Sequence, residues 1–314
     1  MQGRFISTRV IIFAFIIATQ ATPVGAHEGR PPEPHDLWTA WSLEPFVIIS
    51  LALSAWLYGR GARQMLNRSL LDLESLAFFA GWLALVVALV SPLDRLGAAL
   101  FSAHMTQHEV LMLIAAPLLV LGRPAAPFLL ALPAHWRREL TAVWKKELAR
   151  RGWRFLVSPF IAWLIHAAVL WIWHAPALFH ATLESESVHA AQHLSFLVSA
   201  LLFCEALIHG RERRLGYGAA VVYVFTTAVH TSALGALLTF SPTLWYSAYQ
   251  ETTAAWGVTP MEDQQLGGLI MWVPAGVVYL VAGLLLFAFW LRESERRTLR
   301  SEAAAGNVGQ EISG

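Results

Sequence analysis

Residues 265–290 read QLGGLIMWVPAGVVYLVAGLLLFAFW, a run of 26 residues without a charged side chain. A helix of about 20 apolar residues crosses the hydrocarbon core of a bilayer, so this run predicts a membrane-spanning helix. The composition agrees, because 56% of the 314 residues are hydrophobic and only 14% are charged, far from an ordinary soluble domain. Lipid is therefore the predicted solvent for most of the chain.

Six further apolar stretches precede this run, and most are near the length that a spanning helix needs. They lie at about 45–59, 75–91, 104–122, 155–174, 189–209 and 216–239. The sequence therefore predicts an all-α polytopic membrane protein whose seven transmembrane helices form one domain over residues 45–300.

The two ends of the chain fall outside this domain. Two arginines, a short apolar run and then Val24–Ala26 predict a cleaved signal peptide over residues 1–26, with an uncleaved anchor as the alternative. Residues 27–44 are then a periplasmic leader. The small, polar residues 301–314 are predicted to be a disordered tail.

The basic residues predict an orientation. Eighteen of the 22 Lys and Arg residues lie in alternate connections, within residues 60–68, 123–154, 211–214 and 292–300. Basic residues gather on the cytoplasmic side of spanning helices. We therefore expect an inner-membrane protein with its N-terminus on the outer, periplasmic side and its C-terminus in the cytoplasm.

The long inner connection has the pattern of a surface helix. Within residues 134–151, one helical face collects the apolar side chains Trp136, Leu140, Val143, Trp144 and Leu148, and the basic side chains fall elsewhere. This pattern is typical of an amphipathic helix at a membrane surface. The sequence thus predicts an interfacial helix at 134–151 on the cytoplasmic side.

Two short segments share one polar pattern, HMTQH at 104–108 and HAAQH at 189–193. Each opens a predicted helix that runs inward from the outer side, so H-x-x-Q-H occurs twice at one depth. Residues i and i+4 share a helical face and lie about 6 Å apart along the axis, so two imidazoles can share an ion. The glutamines could orient a ring or hold a water.

A fifth histidine, His174, lies at the outer end of the fourth predicted helix and therefore at the same level. The predicted metal ligands are His104, His108, His189, His193 and His174. The alternative is structural, since interfacial His and Gln also bond helix N-termini or a neighbouring helix. Glu109, next to His108, is a candidate carboxylate partner.

The ligand types favour copper. Cys204 is the one cysteine in the chain, which excludes a thiolate-rich cage. Imidazoles with nearby thioethers suit copper better than calcium or magnesium, and zinc remains possible on imidazoles alone. Of the other polar groups, His166 is interpreted as a hydrogen-bonded packing residue. Glu205 is interpreted as a side chain that snorkels toward the inner interface.

Three segments together resemble a known family. They are HMTQHEVLMLIAAPLLVLGRP (104–124), WHAPALFH with the downstream HAAQHLSFLVSALLF (173–203), and DQQLGGLIMWVPAGVVYL (263–280). In this order they are similar to the CtaG-type cytochrome c oxidase assembly factors of bacterial membranes, from LWTAWSLEP at 37–45 to the last helix. The resemblance implies a role in making a haem-copper oxidase active, by supplying or holding copper on the outer face. The implied partners are cytochrome c oxidase subunits and a periplasmic copper donor.

Two other classes of function stay open. A membrane cytochrome b would use paired histidines to ligate haem, although the inner half offers only scattered candidates. A metal permease would need a polar path through the midplane, where His166 and His230 are the obvious histidines. The sequence has no defensible Ser-His-Asp arrangement, phosphate-binding glycine loop or nucleophile elbow. A non-enzymatic role without nucleic acid is therefore predicted.

Overall fold

A computed structural model describes residues 31–65, 72–210 and 216–313 of the chain. The predicted signal peptide, residues 1–26, and the first residues of the predicted leader lie outside the described residues. Across the described part the protein is helical and contains no β-strand. The prediction of an all-α protein is therefore confirmed.

Thirteen α-helices follow one another along the described chain. They are α1 Pro45–Ala62, α2 Leu73–Leu89, α3 Pro92–Leu96, α4 Phe101–Glu109, α5 Ala116–Leu121, α6 Ala125–Ala131, α7 Ala134–Lys145, α8 Glu147–Leu156, α9 Pro159–Trp173, α10 Pro176–Glu184, α11 Glu186–Ile208, α12 Tyr217–Thr239 and α13 Pro260–Ser313. Short 3₁₀ turns lie at Leu37–Thr39, Ser247–Tyr249 and Thr253–Trp256.

Five helical segments of the described chain are long and apolar enough to cross a membrane. They are Pro45–Ala62, Phe101–Leu121, Glu186–Ile208, Tyr217–Thr239 and Pro260–Arg296. Helices α8 and α9 pass the same test together but meet at a bend of 61°, which raises the number to six if they form one span. Helix α2 is a shorter apolar helix of 17 residues. These helices fit a multi-pass membrane protein.

The outer surface of the bundle is apolar. Large hydrophobic side chains on α13 are half exposed, among them Val277 at 55% and Leu284 at 59%. Contiguous exposed apolar surface of this kind is unfavourable in water and favourable in lipid.

The segment Phe101–Leu121 carries the first H-x-x-Q-H segment and is irregular. An α-helical start, Phe101–Glu109, is followed by a π-helical stretch, Val110–Ala115, and then by α5. Pro117 lies in the first turn of α5, where its missing N–H removes one i→i−4 hydrogen bond. The widened turns precede this gap, and such π segments are frequent near functional sites.

The inner connection contains two helices where the sequence predicts one helix at 134–151. Helix α7 ends at Lys145, Lys146 has extended backbone with ψ 133°, and α8 begins at Glu147. The Glu147 carboxylate at the start of α8 accepts hydrogen bonds from Arg150, Arg151 and Arg154 at 2.5 to 3.2 Å. A carboxylate in the first turn stabilises the N-terminus of a helix. Glu147 therefore favours the start of a separate helix, α8.

Helix α13 extends further than the sequence predicts. It continues to Ser313, whereas the sequence predicts a disordered tail from residue 301. The stretch Glu302–Ala305 consists of Glu and Ala, which are strong helix formers, and this composition favours the first part of the extension.

Candidate metal centre

The five predicted ligands lie together inside the bundle. His104 and His108 lie on α4, His189 and His193 lie on α11, and His174 directly follows α9. Ring centroids are 4.1 Å apart for His189 and His193 and 4.4 Å apart for His104 and His108. Across the two helices, His104 and His189 are 5.2 Å apart. His174 joins through His108 at 6.4 Å. These five residues are called the histidine cluster below.

The histidine cluster is shielded from solvent. His104, His108, His174 and His193 each expose at most 8% of their surface, and His189 is partly buried. Buried polar atoms in proteins nearly always have a hydrogen-bond partner. Each imidazole in the cluster therefore needs a partner for both ring nitrogens.

Several ring nitrogens lack such a partner. Among the residues that the structure describes, none bonds with acceptable geometry to Nδ1 of His104, to either nitrogen of His108, or to Nε2 of His189 and His193. These five buried atoms belong to four neighbouring rings. A cation that accepts their lone pairs would satisfy several of them at once.

One hydrogen bond links the two H-x-x-Q-H segments. Nε2 of His104 lies 3.1 Å from Oε1 of Gln192, and both side chains are fully buried. An amide oxygen can only accept, so Nε2 carries the hydrogen and Nδ1 of the neutral ring carries the lone pair. Gln192 thus orients the ring so that the free lone pair of His104 points away from Gln192.

The spacing of three rings approaches that of a metal site. One ligand atom from each of His104, His189 and His193 lies within 4.8 Å of the other two. Metal–imidazole bonds are about 2.0 to 2.1 Å long, so two ligand atoms of one ion can be about 4 Å apart at most. Modest ring rotations would therefore close this trio around an ion.

The N-terminus of α4 is held by a residue that lies far away in sequence. The Asp263 carboxylate on α13 accepts hydrogen bonds from the backbone N–H of Phe101 at 2.6 Å and of Ser102 at 3.1 Å, and from the Ser102 hydroxyl at 2.5 Å. Leu100, the residue before α4, provides no side-chain cap. Asp263 supplies that cap and fixes the helix that carries His104 and His108.

Three carboxylates beside the cluster were missed by sequence reasoning. Glu44 and Glu186 lie within electrostatic range of His189, and Asp94 accepts a 2.7 Å hydrogen bond from Nε2 of Gln107. Burial, and then the carboxylates of Asp94 and Glu186, raise the pKa of Glu44, while His189 lowers it. Glu186 precedes His189 by three residues on one helical face, which is the signal that could have identified it.

A known protein family matches the part of the chain that contains this site. The chain matches the family described as cytochrome c oxidase caa3 assembly factor, or Caa3_CtaG, over residues 56–293. That match spans more than half of the chain and contains all five members of the histidine cluster. The chain belongs to the caa3 assembly factor family.

Relatives of the chain include longer mycobacterial proteins. It is 28% identical over 288 residues to uncharacterized proteins of Mycobacterium bovis and Mycobacterium tuberculosis, covering 88% of this chain and 43% of each relative. An uncharacterized protein of Mycobacterium leprae is 27% identical over 242 residues, covering 74% of this chain and 36% of the relative. The chain thus spans less than half the length of these curated relatives. No solved structure matches the chain.

Other polar groups of the chain lie apart from the cluster. Nδ1 of His166 lies 3.3 Å from the Ser199 hydroxyl, so its interpretation as a hydrogen-bonded packing residue is confirmed. The interpretation of Glu205 as a snorkelling side chain is wrong, because Glu205 is 3% exposed and pairs with His209 at 2.9 Å. His209, four residues later, pairs with the carboxylate inside the protein, so the carboxylate does not extend to the interface.

Glu109 occupies an unusual position beside the cluster. It is the last residue before the π-helical stretch, and its Oε2 is buried without a hydrogen-bond partner in the described chain. It lies within electrostatic range of Tyr279 on α13. The structure therefore places Glu109 toward α13, and its predicted role as a carboxylate partner to the histidines stays a prediction.

Proposed function

We propose that this member of the caa3 assembly factor family is a non-catalytic protein that binds copper at the periplasmic face of the inner membrane and delivers it to a haem-copper cytochrome c oxidase. The observation that carries the proposal is the histidine cluster, in which five buried ring nitrogens on four rings have no hydrogen-bond partner in the described chain. Membership of the assembly-factor family supports the oxidase as the recipient.

The energetics favour a bound cation over a purely structural role. A buried polar atom left without its hydrogen bond costs about 1 to 3 kcal/mol. Four adjacent rings carry such atoms. Packing alone gives these ring nitrogens no partner among the described residues. Neutral imidazoles with free lone pairs are the ordinary ligands of transition metals.

Copper is the metal that the surroundings fit best. The cluster combines imidazoles with the buried thioether of Met105, whose sulfur lies 3.4 Å from Nε2 of His174. Thioether sulfur favours copper over zinc, calcium and magnesium. Binding would be by His104, His108, His189, His193 and His174, with Gln192 orienting one ring.

The proposed topology places the cluster on the outer side. We infer seven spans, in which α8 with α9 counts as one bent span and α2 as another. Helix α2 rises about 26 Å over its 17 residues, so flanking residues complete the crossing of a core about 30 Å thick. The N-terminus is then periplasmic, the C-terminus is cytoplasmic, and α7 with the start of α8 lies on the cytoplasmic surface.

The exposed apolar residues support this surface placement. None of the residues of α7 is buried, and Trp136 exposes 54% of its surface. Leu148 on α8 exposes 83%. Apolar side chains on one face with basic residues elsewhere suit a helix that lies in the headgroup region of the bilayer.

A complementation experiment tests the assignment to oxidase assembly. A host strain that lacks the chain and carries its oxidase would receive wild type, a His104→Ala/His189→Ala variant, or a His135→Ala/His180→Ala control. Both control histidines are exposed and lie outside the cluster. Immunoblots of the membrane fraction would establish equal amounts of each protein. The readouts would be oxidase activity and the copper content of the purified oxidase.

We expect wild type and the control to restore an oxidase with its full copper complement. The cluster variant should yield oxidase that lacks copper and is inactive, with recovery when copper is added to the medium. Full oxidase activity with the cluster variant at low copper would contradict delivery through these histidines.

A further inference from the structure

His174 makes a contact within the histidine cluster that ordinary hydrogen bonding does not explain. Nδ1 of His174 lies 2.7 Å from the carbonyl oxygen of Leu170, and Nε2 of the same ring lies 3.4 Å from the sulfur of Met105. A carbonyl only accepts, so Nδ1 carries the hydrogen and Nε2 of the neutral ring carries a lone pair. Thioether sulfur also has no hydrogen to give. Two lone pairs therefore face each other inside the protein.

Both partners are held in this arrangement. Met105 exposes 0% of its surface and His174 exposes 2%. Gly267 of α13 packs against Phe101 and Met105 so closely that an added Cβ would lie 3.3 Å from Cγ of Met105 and would overlap the Phe101 ring. The small residue lets α13 close over this part of α4 and fixes the thioether in front of His174.

A third donor completes the set. His108 follows Met105 by three residues, which places both side chains on one face of α4. Its two nitrogens have no hydrogen-bond partner among the described residues, and its ring centroid lies 6.4 Å from that of His174. Met105, His108 and His174 thus offer one thioether and two imidazoles.

We propose that Met105, His108 and His174 form a thioether-containing subsite that makes the centre selective for Cu(I). This inference rests on the proposed function and adds the oxidation state. A soft, low-coordinate cation between the thioether and Nε2 would accept both facing lone pairs, and thioether ligands select Cu(I) over Cu(II) and zinc. The other three rings of the same centre, those of His104, His189 and His193, offer imidazoles alone, which suit zinc and Cu(II) as well.

An ordinary core methionine is the competing interpretation, since Met commonly fills irregular space in protein interiors. Met112 provides the matched control, because it lies seven residues further along the same span and is 8% exposed. Replacement by Leu conserves volume at either position and usually costs little stability. The two variants therefore differ mainly in which thioether is removed.

The test measures metal affinity of the detergent-purified full chain. Cu(I) affinity is determined anaerobically by competition with a chromophoric Cu(I) chelator, and zinc affinity is determined in parallel. Met105→Leu should weaken Cu(I) binding roughly ten- to hundredfold, the range found even for outer-shell partners of metals, and should leave zinc affinity unchanged. Met112→Leu should change neither affinity. X-ray absorption at the copper edge should show a sulfur ligand in the wild type.

Each contrary result has a distinct meaning. Wild type that binds Cu(I) without a sulfur ligand overturns this inference, whatever the stability of the variants. If Met105→Leu keeps the wild-type Cu(I) affinity while His104→Ala/His189→Ala loses it, the thioether subsite is wrong and the proposed function stands. Wild type that binds no copper overturns both.

Discussion

Nε2 of His104 donates a hydrogen bond to Oε1 of Gln192 across 3.1 Å, so the first H-x-x-Q-H segment is tied to the second. The glutamine of the first segment behaves differently. Nε2 of Gln107 donates to the Ala88 carbonyl and to Asp94, each at 2.7 Å, and bonds no ring among the described residues. One sequence pattern thus supports two roles, which are the orientation of a ligand and the anchoring of a helix.

Replacing Gln192 should therefore weaken metal binding. In a Gln192→Leu variant, His104 loses the partner that fixes its tautomer, and copper affinity should fall roughly ten- to hundredfold. Gln107→Leu is the matched control, which should lower thermal stability and leave copper affinity near the wild-type value. Chelator competition and thermal unfolding in detergent would measure the two quantities. Equal losses of affinity in both variants would show that the distinction is wrong.

The Asp263 cap predicts a stability effect at a distance from its own sequence neighbours. Asp263→Ala should destabilise the protein by about 1 to 2 kcal/mol, the upper range for loss of an N-cap, because two backbone N–H groups of α4 lose their acceptor. Thermal unfolding in detergent would measure it. Gln265→Ala, an exposed position on the same helix, should stay within about 0.5 kcal/mol of wild type. An Asp263→Ala variant as stable as wild type would contradict the role of the cap.

Asp94 predicts a pH dependence of stability. Burial raises its pKa above the ordinary 3.8, and the hydrogen bond from Gln107 opposes the rise. A raised folded-state pKa means that the contribution of Asp94 is fully favourable below the unfolded pKa and is lost as pH rises through the folded value. The loss of stability therefore begins near pH 3.8 and continues as the pH rises.

An Asp94→Asn variant removes this titration. The melting temperature of wild type relative to Asp94→Asn should therefore be lower at pH 7 than at pH 4. Circular dichroism in one detergent at both pH values would provide the comparison. A difference between the two proteins that stays constant, or that grows in favour of wild type toward pH 7, would contradict the predicted sign.

The proposed topology can be tested by labelling in intact cells. In a Cys204→Ser background, Ser187→Cys should react with a membrane-impermeant thiol reagent, because residue 187 is exposed near the proposed periplasmic face. Arg138→Cys, exposed on α7, should react only after the membrane is opened. The reverse pattern would place the histidine cluster on the cytoplasmic side and remove the basis for periplasmic delivery.

The sequence predicted the local features of the fold well. Hydropathy runs and the i, i+4 spacing of His104 with His108 depend on neighbouring residues, so they could be recognised without tertiary contacts. His174 could be recognised as well, because the order of the predicted spans places it at the same end as the two motifs.

Features that depend on distant residues could not be predicted. Asp263 caps a helix that begins 162 residues earlier in the chain, and no local pattern indicates this partner. The burial of Glu205 with His209 depends on how α11 packs, and an isolated carboxylate near a helix end gave the wrong interpretation. Likewise, the sulfur of Met105 and the ring of His174 face each other only when α4 and α9 have packed together.

The most direct test of the central claim is the copper content of the detergent-purified protein after loading with copper and removal of unbound metal. Wild type and the His135→Ala/His180→Ala control should retain copper, and His104→Ala/His189→Ala should retain little, with all three equally folded by circular dichroism. An absorption spectrum of the same samples would reveal any haem. Copper retained equally by all three proteins, or by none of them, would contradict a copper centre built from the histidine cluster.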